Sequence, residues 1–312
     1  MAKQSSQKLD QYIESLNMNG LLGRVLQMPA KKKSNNKQIL LVYGHHASLE
    51  RMYGFAEELQ KYGSVTMPDL PGFGGMQSFY KINEEPDIDT LADYLASFIK
   101  MRYKNRRFTV AGMSFGFVIV TRMLQKYPEM AKKIDNIISI VGFVHHEDFK
   151  LKTHQKLLLK MSSTLLSKRP IAVLSRYLLL NRPMIHLAYS VVGDSHSKLK
   201  DADASERKRR IRFEVELWQA NDLRTYAYTG REMLRVNLCN GNRQIPLKVT
   251  HVSVAEDRYF DNNVVEQHLN IVYTDVEVVS TTMPAHAPTV VSSAKEAAQF
   301  IPKQLRSQLK AA

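Results

Sequence analysis

The sequence is poor in the features that define several protein classes. Its 312 residues include one cysteine, Cys239, which excludes an intrachain disulfide framework and a cysteine-based zinc cluster. No stretch approaches the run of about 18 apolar residues that a membrane-spanning helix requires. The N-terminal residues lack the apolar segment of a secretory signal, and no internal repeat or low-complexity tract is found. We therefore expect a cytoplasmic protein.

Acidic residues are scarce in the middle of the chain. The net charge is +14, and residues 150–243 hold 19 Lys and Arg against 8 Asp and Glu. The densest run, at residues 207–212, lies in a helical pattern without interleaved aromatic residues, zinc-finger spacing or an RNA-binding motif. This pattern favours a solvated basic helix face over a nucleic-acid partner. An anionic membrane surface is the alternative partner.

Strands and helices alternate in two parts of the chain, up to residue 142 and again from residue 246. Such alternation predicts a mostly parallel sheet covered by helices on both faces. Residues 143–245 form a helical, basic stretch that is too long for a loop, and we interpret it as an inserted helical cap. We therefore expect one α/β core, at 1–142 and 246–312, with a cap at 143–245. The predicted strands are 23–28, 38–43, 64–67, 107–111, 134–141, 247–254 and 270–279, and the predicted helices of the core are 9–16, 49–63, 88–103, 117–124, 263–269 and 293–309.

The first two predicted strands, 23–28 and 38–43, are joined by a polar, charged turn. We expect them to form a hairpin at the sheet edge that leads into a central strand.

The pentapeptide Gly112-Met113-Ser114-Phe115-Gly116 follows a predicted strand and precedes a predicted helix. In this context a Gly-x-Ser-x-Gly turn lifts the serine hydroxyl above the sheet edge. Side chains at the two glycine positions would collide with the neighbouring strand or helix. The helix also directs its N-terminal amides toward negative charge that develops at the serine. The alternative is a glycine-containing turn with an incidental serine.

A serine nucleophile needs a histidine base that is oriented by a carboxylate. After Ser114, Asp257 and His286 each follow a predicted parallel strand, and both loops would open at the carboxyl edge of the sheet. Taken alone, His286 would be a loop histidine, and Asp257 a helix cap or half of a surface ion pair. Glu256 and Asp261 are rivals for the acid. We prefer Asp257 because it directly follows its strand, whereas Asp261 is placed to cap the next helix.

The oxyanion formed by serine attack requires two preorganised amides. The backbone N–H of Phe115 is one candidate donor, and the backbone N–H of His45, in the loop at 43–48, is the other. The His-His pairs at 45–46 and 145–146 suggest a metal site, but no Asp or Glu stands at a recognisable ligand spacing beside them. We therefore expect neither a metal nor a cofactor.

With these residues the chain resembles the α/β-hydrolase superfamily, in its form with a helical cap between the sixth and seventh strands. Tyr43 departs from the family pattern, which has histidine before the glycine. The resemblance implies the catalytic triad Ser114, Asp257 and His286, as nucleophile, orienting acid and base. It also implies an oxyanion hole made by the amides of His45 and Phe115. The matching residues are 41–45, 69–74, 112–116, Asp257 and His286.

Serine at position 114 narrows the chemistry, because relatives similar to haloalkane dehalogenases and epoxide hydrolases have aspartate there. The residues favour acyl transfer through an acyl-enzyme. Ester, thioester, amide and carbon–carbon substrates all remain compatible with this mechanism. The cap is rich in Leu, Met and Tyr, and this favours a small-molecule carboxylic ester or a lipid ester. The alternative is a non-catalytic member of the fold that binds a ligand or, through its basic cap, a membrane surface.

Overall fold

The computed structural model describes residues 9–32, 35–191, 204–281 and 294–311. Over these ranges the chain alternates strands and helices, as the sequence predicts, with a long helical stretch before the last two strands. The strands are β1 (Ile13–Met18), β2 (Leu21–Met28), β3 (Gln38–Val42), β4 (Ser64–Pro68), β5 (Phe108–Met113), β6 (Ile134–Ile140), β7 (Ile245–Val254) and β8 (Tyr273–Thr281).

The helices divide into those that cover the sheet and those inserted between β6 and β7. Short 3₁₀ turns at Phe79–Ile82, Pro128–Lys133, His146–Asp148 and Ala298–Phe300 connect several of them. The helices are α1 (Leu49–Leu59), α2 (Ile88–Tyr103), α3 (Phe115–Lys126), α4 (Thr153–Leu166), α5 (Arg169–Leu178), α6 (Arg182–Val191), α7 (Ala204–Ala220), α8 (Leu223–Met233), α9 (Asn262–Val272), α10 (Ala294–Ala297) and α11 (Lys303–Ala311).

One sheet contains all the strands described above, in the order β1-β2-β4-β3-β5-β6-β7-β8. β1 and β2 are antiparallel to each other, β2 is antiparallel to β4, and the remaining neighbours are parallel. The predicted class, a mostly parallel α/β sheet with an inserted helical region, is therefore confirmed.

The central strands are buried because helices cover both faces of the sheet. Every residue of β5 is buried, and so are all residues of β3 after its first. Their apolar runs are typical of parallel strands without a solvent face. Since β3, β4, β5, β6, β7 and β8 run in the same direction, the loops that follow them open at one edge of the sheet. We call this the carboxyl edge.

The helices α4–α8 form the inserted helical region. Pro170 and Pro183 each occupy the second position of a helix, α5 and α6, where a missing backbone N–H costs little. The inserted stretch is therefore divided into short helices at these prolines, while the domain limits 1–142, 143–245 and 246–312 stay a prediction. None of the described helices has both the length and the apolar character needed to cross a bilayer.

The expected N-terminal helix at 9–16 is wrong. Residues 9–10 are helical and residues 11–12 form a turn, but from Ile13 the segment is β1, which forms a hairpin with β2. The turn residues Asn19 and Gly20 both have positive φ, 50° and 83°, which is the conformation of a type I′ hairpin turn. The expected hairpin of 23–28 with 38–43 is also wrong, because β4 lies between β2 and β3 in the sheet.

The expected C-terminal helix at 293–309 is interrupted. The structure has α10, a 3₁₀ turn and α11, with a break just before Pro302. A proline inside a helix lacks the N–H donor and clashes with the preceding turn. The apolar stripe continues across the break, and Ile301, Leu305 and Leu309 are all buried.

Candidate active site

The turn at Ser114 has the tight geometry that the pentapeptide predicts. Ser114 lies between β5 and α3 with φ 48° and ψ −118°, a conformation that costs a non-glycine residue energy. A β-carbon on Gly116 would lie 2.3 Å from the carbonyl oxygen of Val42, and one on Gly112 would lie 2.7 Å from the Cα of Phe117. Only glycine at these two positions therefore permits the approach of helix to sheet.

The first amides of α3 lie beside this serine. Phe115 is the first residue of α3, where backbone N–H groups have no partner within the helix and the helix dipole is positive. The loop after β3 packs directly against the same turn, since a β-carbon on Gly44 would lie 3.2 Å from the β-carbon of Ser114. The structure thus brings the loop of His45 together with Ser114 and Phe115.

The side chain of His45 joins this loop to the inserted region. Its Nε2 lies 3.0 Å from the carbonyl oxygen of Tyr226 and 3.0 Å from Oγ1 of Thr229, both on α8. The carbonyl only accepts, and the Thr229 hydroxyl already donates to the carbonyl of Thr225 at 2.7 Å, so we assign the ring proton to Nε2. Burial lowers the pKa of His45 to about 3. The ring is therefore neutral and holds the loop through a fixed tautomer.

The next residue, His46, is held by α7 and the turn that follows it. Nδ2 of Asn221 donates to Nδ1 of His46 at 3.1 Å, and the ring of Trp218 lies 4.2 Å from the imidazole ring. Glu214 of α7, only 1% exposed, lies 3.7 Å from Nε2 of His46 and 3.7 Å from Nη1 of Arg51. The sequence analysis missed these inserted residues, because only the docking of the insertion onto the loop reveals them.

Tyr43, which departs from the family pattern, links two loops at the carboxyl edge. Its hydroxyl donates to Oδ1 of Asp69 at 3.0 Å and accepts the N–H of Leu70 at 2.7 Å. Arg24 donates to the other carboxylate oxygen of Asp69 at 2.9 Å. Burial raises the pKa of Asp69 to about 7, although Arg24 opposes this shift. The loop after β3 is thus fastened to the loop after β4.

The loop after β4 is also bound by the turn between α7 and α8. The backbone N–H of Asp222 donates to the carbonyl of Gly72 at 2.8 Å, and the N–H of Gly74 donates to Oδ1 of Asn221 at 2.8 Å. Asn221 therefore contacts the loops after β3 and β4 at the carboxyl edge, since it also holds His46. This turn of the insertion is part of the architecture that shapes the site.

The acid candidates behave differently in the loop after β7. Asp257 is 4% exposed, and its Oδ1 accepts the N–H groups of Tyr259 at 2.8 Å and Phe260 at 3.1 Å. Asp261 is the N-cap of α9 and accepts two of the first amides of that helix, as its position predicts. Glu256 is exposed. Of the three, Asp257 is the buried carboxylate at the carboxyl edge that does not cap a helix.

His286, the predicted base, lies outside the described residues. The preceding strand, β8, ends at Thr281 and runs parallel to β7. The structure thus describes Ser114, Phe115, His45 and Asp257 at the carboxyl edge, and the role of His286 stays a prediction.

A group that could hold a metal lies beside this edge. Donor atoms of His145, Glu147 and His268 lie within 4.8 Å of one another, and buried Asp148 contacts Nδ1 of His268 at 2.5 Å. The sequence showed the pair at 145–146, and α9 adds His268. Nδ1 of His145 already accepts the N–H of Glu147 at 3.2 Å, so this ring would have to release that bond in order to ligate through Nδ1. The absence of a metal stays a prediction.

Solved structures resemble this fold across almost the whole chain. A membrane phospholipase A, described as a bacterial virulence factor, superposes with a TM-score of 0.67 at 16% identity and covers 100% of this chain and 93% of its own. An epoxide hydrolase has a TM-score of 0.67 at 14% identity, with coverages of 96% and 97%. An enol-lactonase from Burkholderia xenovorans LB400 has a TM-score of 0.64 at 12% identity, with coverages of 96% and 100%. At these identities the likeness shows the fold alone.

Comparison with sequences is informative at the level of the family. No curated protein matches the chain. The model of the α/β hydrolase fold family matches residues 37–267, which include Ser114, Asp257 and the whole inserted helical region. The match covers most of the chain and agrees with the sheet order and the serine turn described above. The chain therefore belongs to the α/β hydrolase fold family.

Proposed function

We propose that the protein is a serine hydrolase that cleaves an ester-like substrate through an acyl-enzyme on Ser114. The observation that carries this proposal is the backbone of Ser114, a non-glycine residue held at positive φ between a central strand and a helix. Strain of this kind costs about 1–3 kcal/mol and persists where the surrounding structure enforces it, as it does at active sites.

In the proposed reaction, His286 takes the proton of Ser114 as Oγ attacks the acyl carbonyl carbon. The tetrahedral oxyanion accepts hydrogen bonds from the backbone N–H groups of Phe115 and His45. As the intermediate collapses, His286 gives the proton to the leaving alcohol, and water then releases the acyl group by the same steps. Asp257 orients the imidazole of His286. The His45 ring, whose low pKa keeps it neutral, takes no part in the proton transfer.

The surroundings of His45 favour an apolar acyl group. The rings of Phe73, Phe115 and Tyr226 have their centroids 5.6, 6.0 and 4.4 Å from that of His45. Phe73 and Phe115 are fully buried, so an acyl group held beside His45 would meet an apolar environment of the kind typical of small-molecule sites. The names of two structural neighbours, a phospholipase A and an enol-lactonase, support ester substrates. The serine at 114 argues against the chemistry named for the third, an epoxide hydrolase.

The test is covalent labelling of the folded protein with a fluorophosphonate, which reacts with activated serines. Wild type and Ser15→Ala, a control at an exposed serine of β1, should be labelled, and Ser114→Ala should not. A panel of p-nitrophenyl esters of increasing chain length then defines the acyl preference. Labelling that persists in Ser114→Ala would refute the nucleophile. Absence of labelling in folded wild type would refute catalysis and favour a ligand-binding member of the fold.

The base is tested separately. His286→Ala should abolish ester turnover and slow labelling by orders of magnitude while the circular dichroism spectrum is unchanged. Normal turnover in this variant would assign the base to another residue and leave Ser114 to be judged by its own labelling.

A further inference from the structure

The outer surface of α4, α5 and α6 carries most of the exposed large apolar side chains in the described residues. Of 17 such side chains, 12 lie between residues 157 and 187. Tyr177 is 79% exposed, Leu158 68% and Val173 61%. α4 has no buried residue, and α5 buries only Ala172. Exposed apolar groups concentrated in this way mark an interaction surface.

These side chains form stripes along the helices. On α4, Leu157, Met161 and Leu165 are spaced by four residues, and on α5, Val173 and Tyr177 are. α4 and α5 contact each other, and both pack on α8. The stripes of α4 and α5 thus lie on neighbouring helices, and a groove lined by Val173 and Tyr177 of α5 and by Met184 of α6 continues the surface onto α6. We call this surface the α4–α6 face.

The segment that forms this face carries charge of one sign, although Lys150, Lys156 and Arg176 donate to backbone carbonyls of the protein itself. Residues 150–191 contain eight Lys and Arg and no Asp or Glu. Basic side chains beside an apolar helix face are the combination that binds anionic lipid headgroups while apolar groups enter the acyl boundary. A two-fold interface with a second copy would place like charges opposite one another, which opposes self-association through this face.

We propose that the α4–α6 face docks on anionic phospholipid bilayers. The helices lie in the plane of the membrane surface, with the apolar stripes at the headgroup boundary and the Lys and Arg side chains against lipid phosphates. Docking itself does not require catalysis. The corollary, that the substrate is a lipid ester of that membrane, rests on the proposed function.

The face lies one helix away from the candidate site. The position of a β-carbon on Gly230 of α8 would be 3.9 Å from Oγ of Ser163 on α4 and 3.9 Å from Cε1 of His45. α8 therefore separates α4 from the residue that is expected to supply an oxyanion amide. A membrane docked on the α4–α6 face would thus lie on the same side of the molecule as the candidate site, with α4 and α8 between its surface and His45.

The first experiment is co-sedimentation of the full chain with vesicles. The Ser114→Ala variant is used beside wild type so that lipid hydrolysis does not alter the vesicles. Binding to vesicles of equal parts phosphatidylglycerol and phosphatidylcholine should be about tenfold or more tighter than binding to phosphatidylcholine alone, and should weaken as salt is raised. No sedimentation with anionic vesicles at low salt, or equal binding to both lipids, would overturn the proposal.

Variants locate the surface. Lys160→Ala/Lys168→Ala and Leu158→Ser/Tyr177→Ser should each weaken binding to anionic vesicles by on the order of tenfold. The matched controls, Arg102→Ala/Lys132→Ala and Met101→Ser, change exposed residues at the opposite edge of the sheet and should bind as wild type. An equal loss of vesicle binding in the face variants and in the controls would overturn the assignment of binding to the α4–α6 face.

Two further measurements distinguish a membrane from a second copy of the chain on this face, and membrane docking from the proposed hydrolase activity. Sedimentation equilibrium that shows a dimer lost in Leu158→Ser/Tyr177→Ser would assign the face to a second copy and overturn membrane docking. Fluorophosphonate labelling needs no vesicle, so failure of docking and failure of the proposed function give different results. Docking without labelling would retain the membrane surface and refute the lipid-ester corollary.

Discussion

The hydroxyl of Tyr43 offers the sharpest test of how the two loops at the carboxyl edge are held. Tyr43 and Asp69 are both fully buried, and the hydroxyl makes two hydrogen bonds, to Oδ1 of Asp69 and from the N–H of Leu70. Tyr43→Phe keeps the ring and its packing. It leaves the buried N–H of Leu70 and the buried Oδ1 of Asp69 without the hydroxyl as hydrogen-bond partner.

Each of these losses costs about 1–3 kcal/mol, so Tyr43→Phe should lower the free energy of unfolding by about 3 kcal/mol. Tyr94→Phe is the matched control. The buried Tyr94 hydroxyl makes one hydrogen bond, to the backbone carbonyl of Asp69 at 2.7 Å. Its loss should cost about 1 kcal/mol, because only one bond is removed and the acceptor is neutral.

The cost of Tyr43→Phe should also depend on pH. Burial raises the pKa of Asp69 to about 7, and the hydroxyl of Tyr43 favours the ionised carboxylate. Below this pKa the folded protein holds Asp69 protonated and the hydroxyl stabilises it less. The loss of the hydroxyl should therefore cost more at about pH 9 than at about pH 5.

Urea denaturation at both pH values measures these differences, provided that the m-value is unchanged. A cost of Tyr43→Phe no larger than that of Tyr94→Phe, or a cost that is the same at both pH values, would refute the reasoning. The first result would mean that the loops are not coupled through this hydroxyl, and the second that Asp69 does not titrate near neutral pH.

Three further predictions address the pH dependence, the serine turn and the acid. The folded pKa of Asp69 lies above its ordinary value of 3.8, so the stability that protonated Asp69 contributes is lost as pH rises toward about 7. Asp69→Asn should therefore flatten the fall of the free energy of unfolding with pH, measured by urea titrations at several pH values. An unchanged fall would assign the pH dependence to other groups. Gly116→Ala should destabilise the protein by about 2 kcal/mol or more, because its β-carbon meets the Val42 carbonyl at 2.3 Å. Gly230→Ala, with nothing nearer than 3.9 Å, should be neutral or stabilising in thermal melts. Equal effects of the two substitutions would contradict the close-approach argument. Asp257→Asn should reduce kcat by orders of magnitude, while Asp261→Asn, which can still cap α9, should leave kcat unchanged; the reverse result would make Asp261 the acid.

The serine turn could be predicted from the sequence because its constraints are local. Gly112, Ser114 and Gly116 act within one pentapeptide between a strand and a helix, and the structure places them as expected. The capping role of Asp261 follows from the start of α9 in the same way. The type I′ turn at Asn19–Gly20 carried an equally local signal, which the apolar spacing at 9–16 obscured.

What could not be predicted depends on contacts between distant segments. His45 and Tyr226 are separated by 181 positions, and no periodicity in either segment indicates that they meet. The placement of β4 between β2 and β3 is likewise decided by which apolar edges pair most favourably, because each of these strands would suit several neighbours. Local patterns define the elements and the turn chemistry, whereas the order of strands and the docking of the insertion emerge only from the whole chain.

The contacts of the 220–222 turn divide the insertion into two parts with different freedom to change. Since Asn221 and Asp222 hold both loops at the carboxyl edge, α7 and α8 belong to the scaffold of the candidate site. A chimera that exchanges residues 153–191 but retains Arg176, which donates to the carbonyl of Asn221 at 2.9 Å, would keep these bonds. A deletion that joins residue 142 to residue 246 would remove them. The outer helices can therefore change, in the laboratory or by descent, while the loops of the candidate site are held as before.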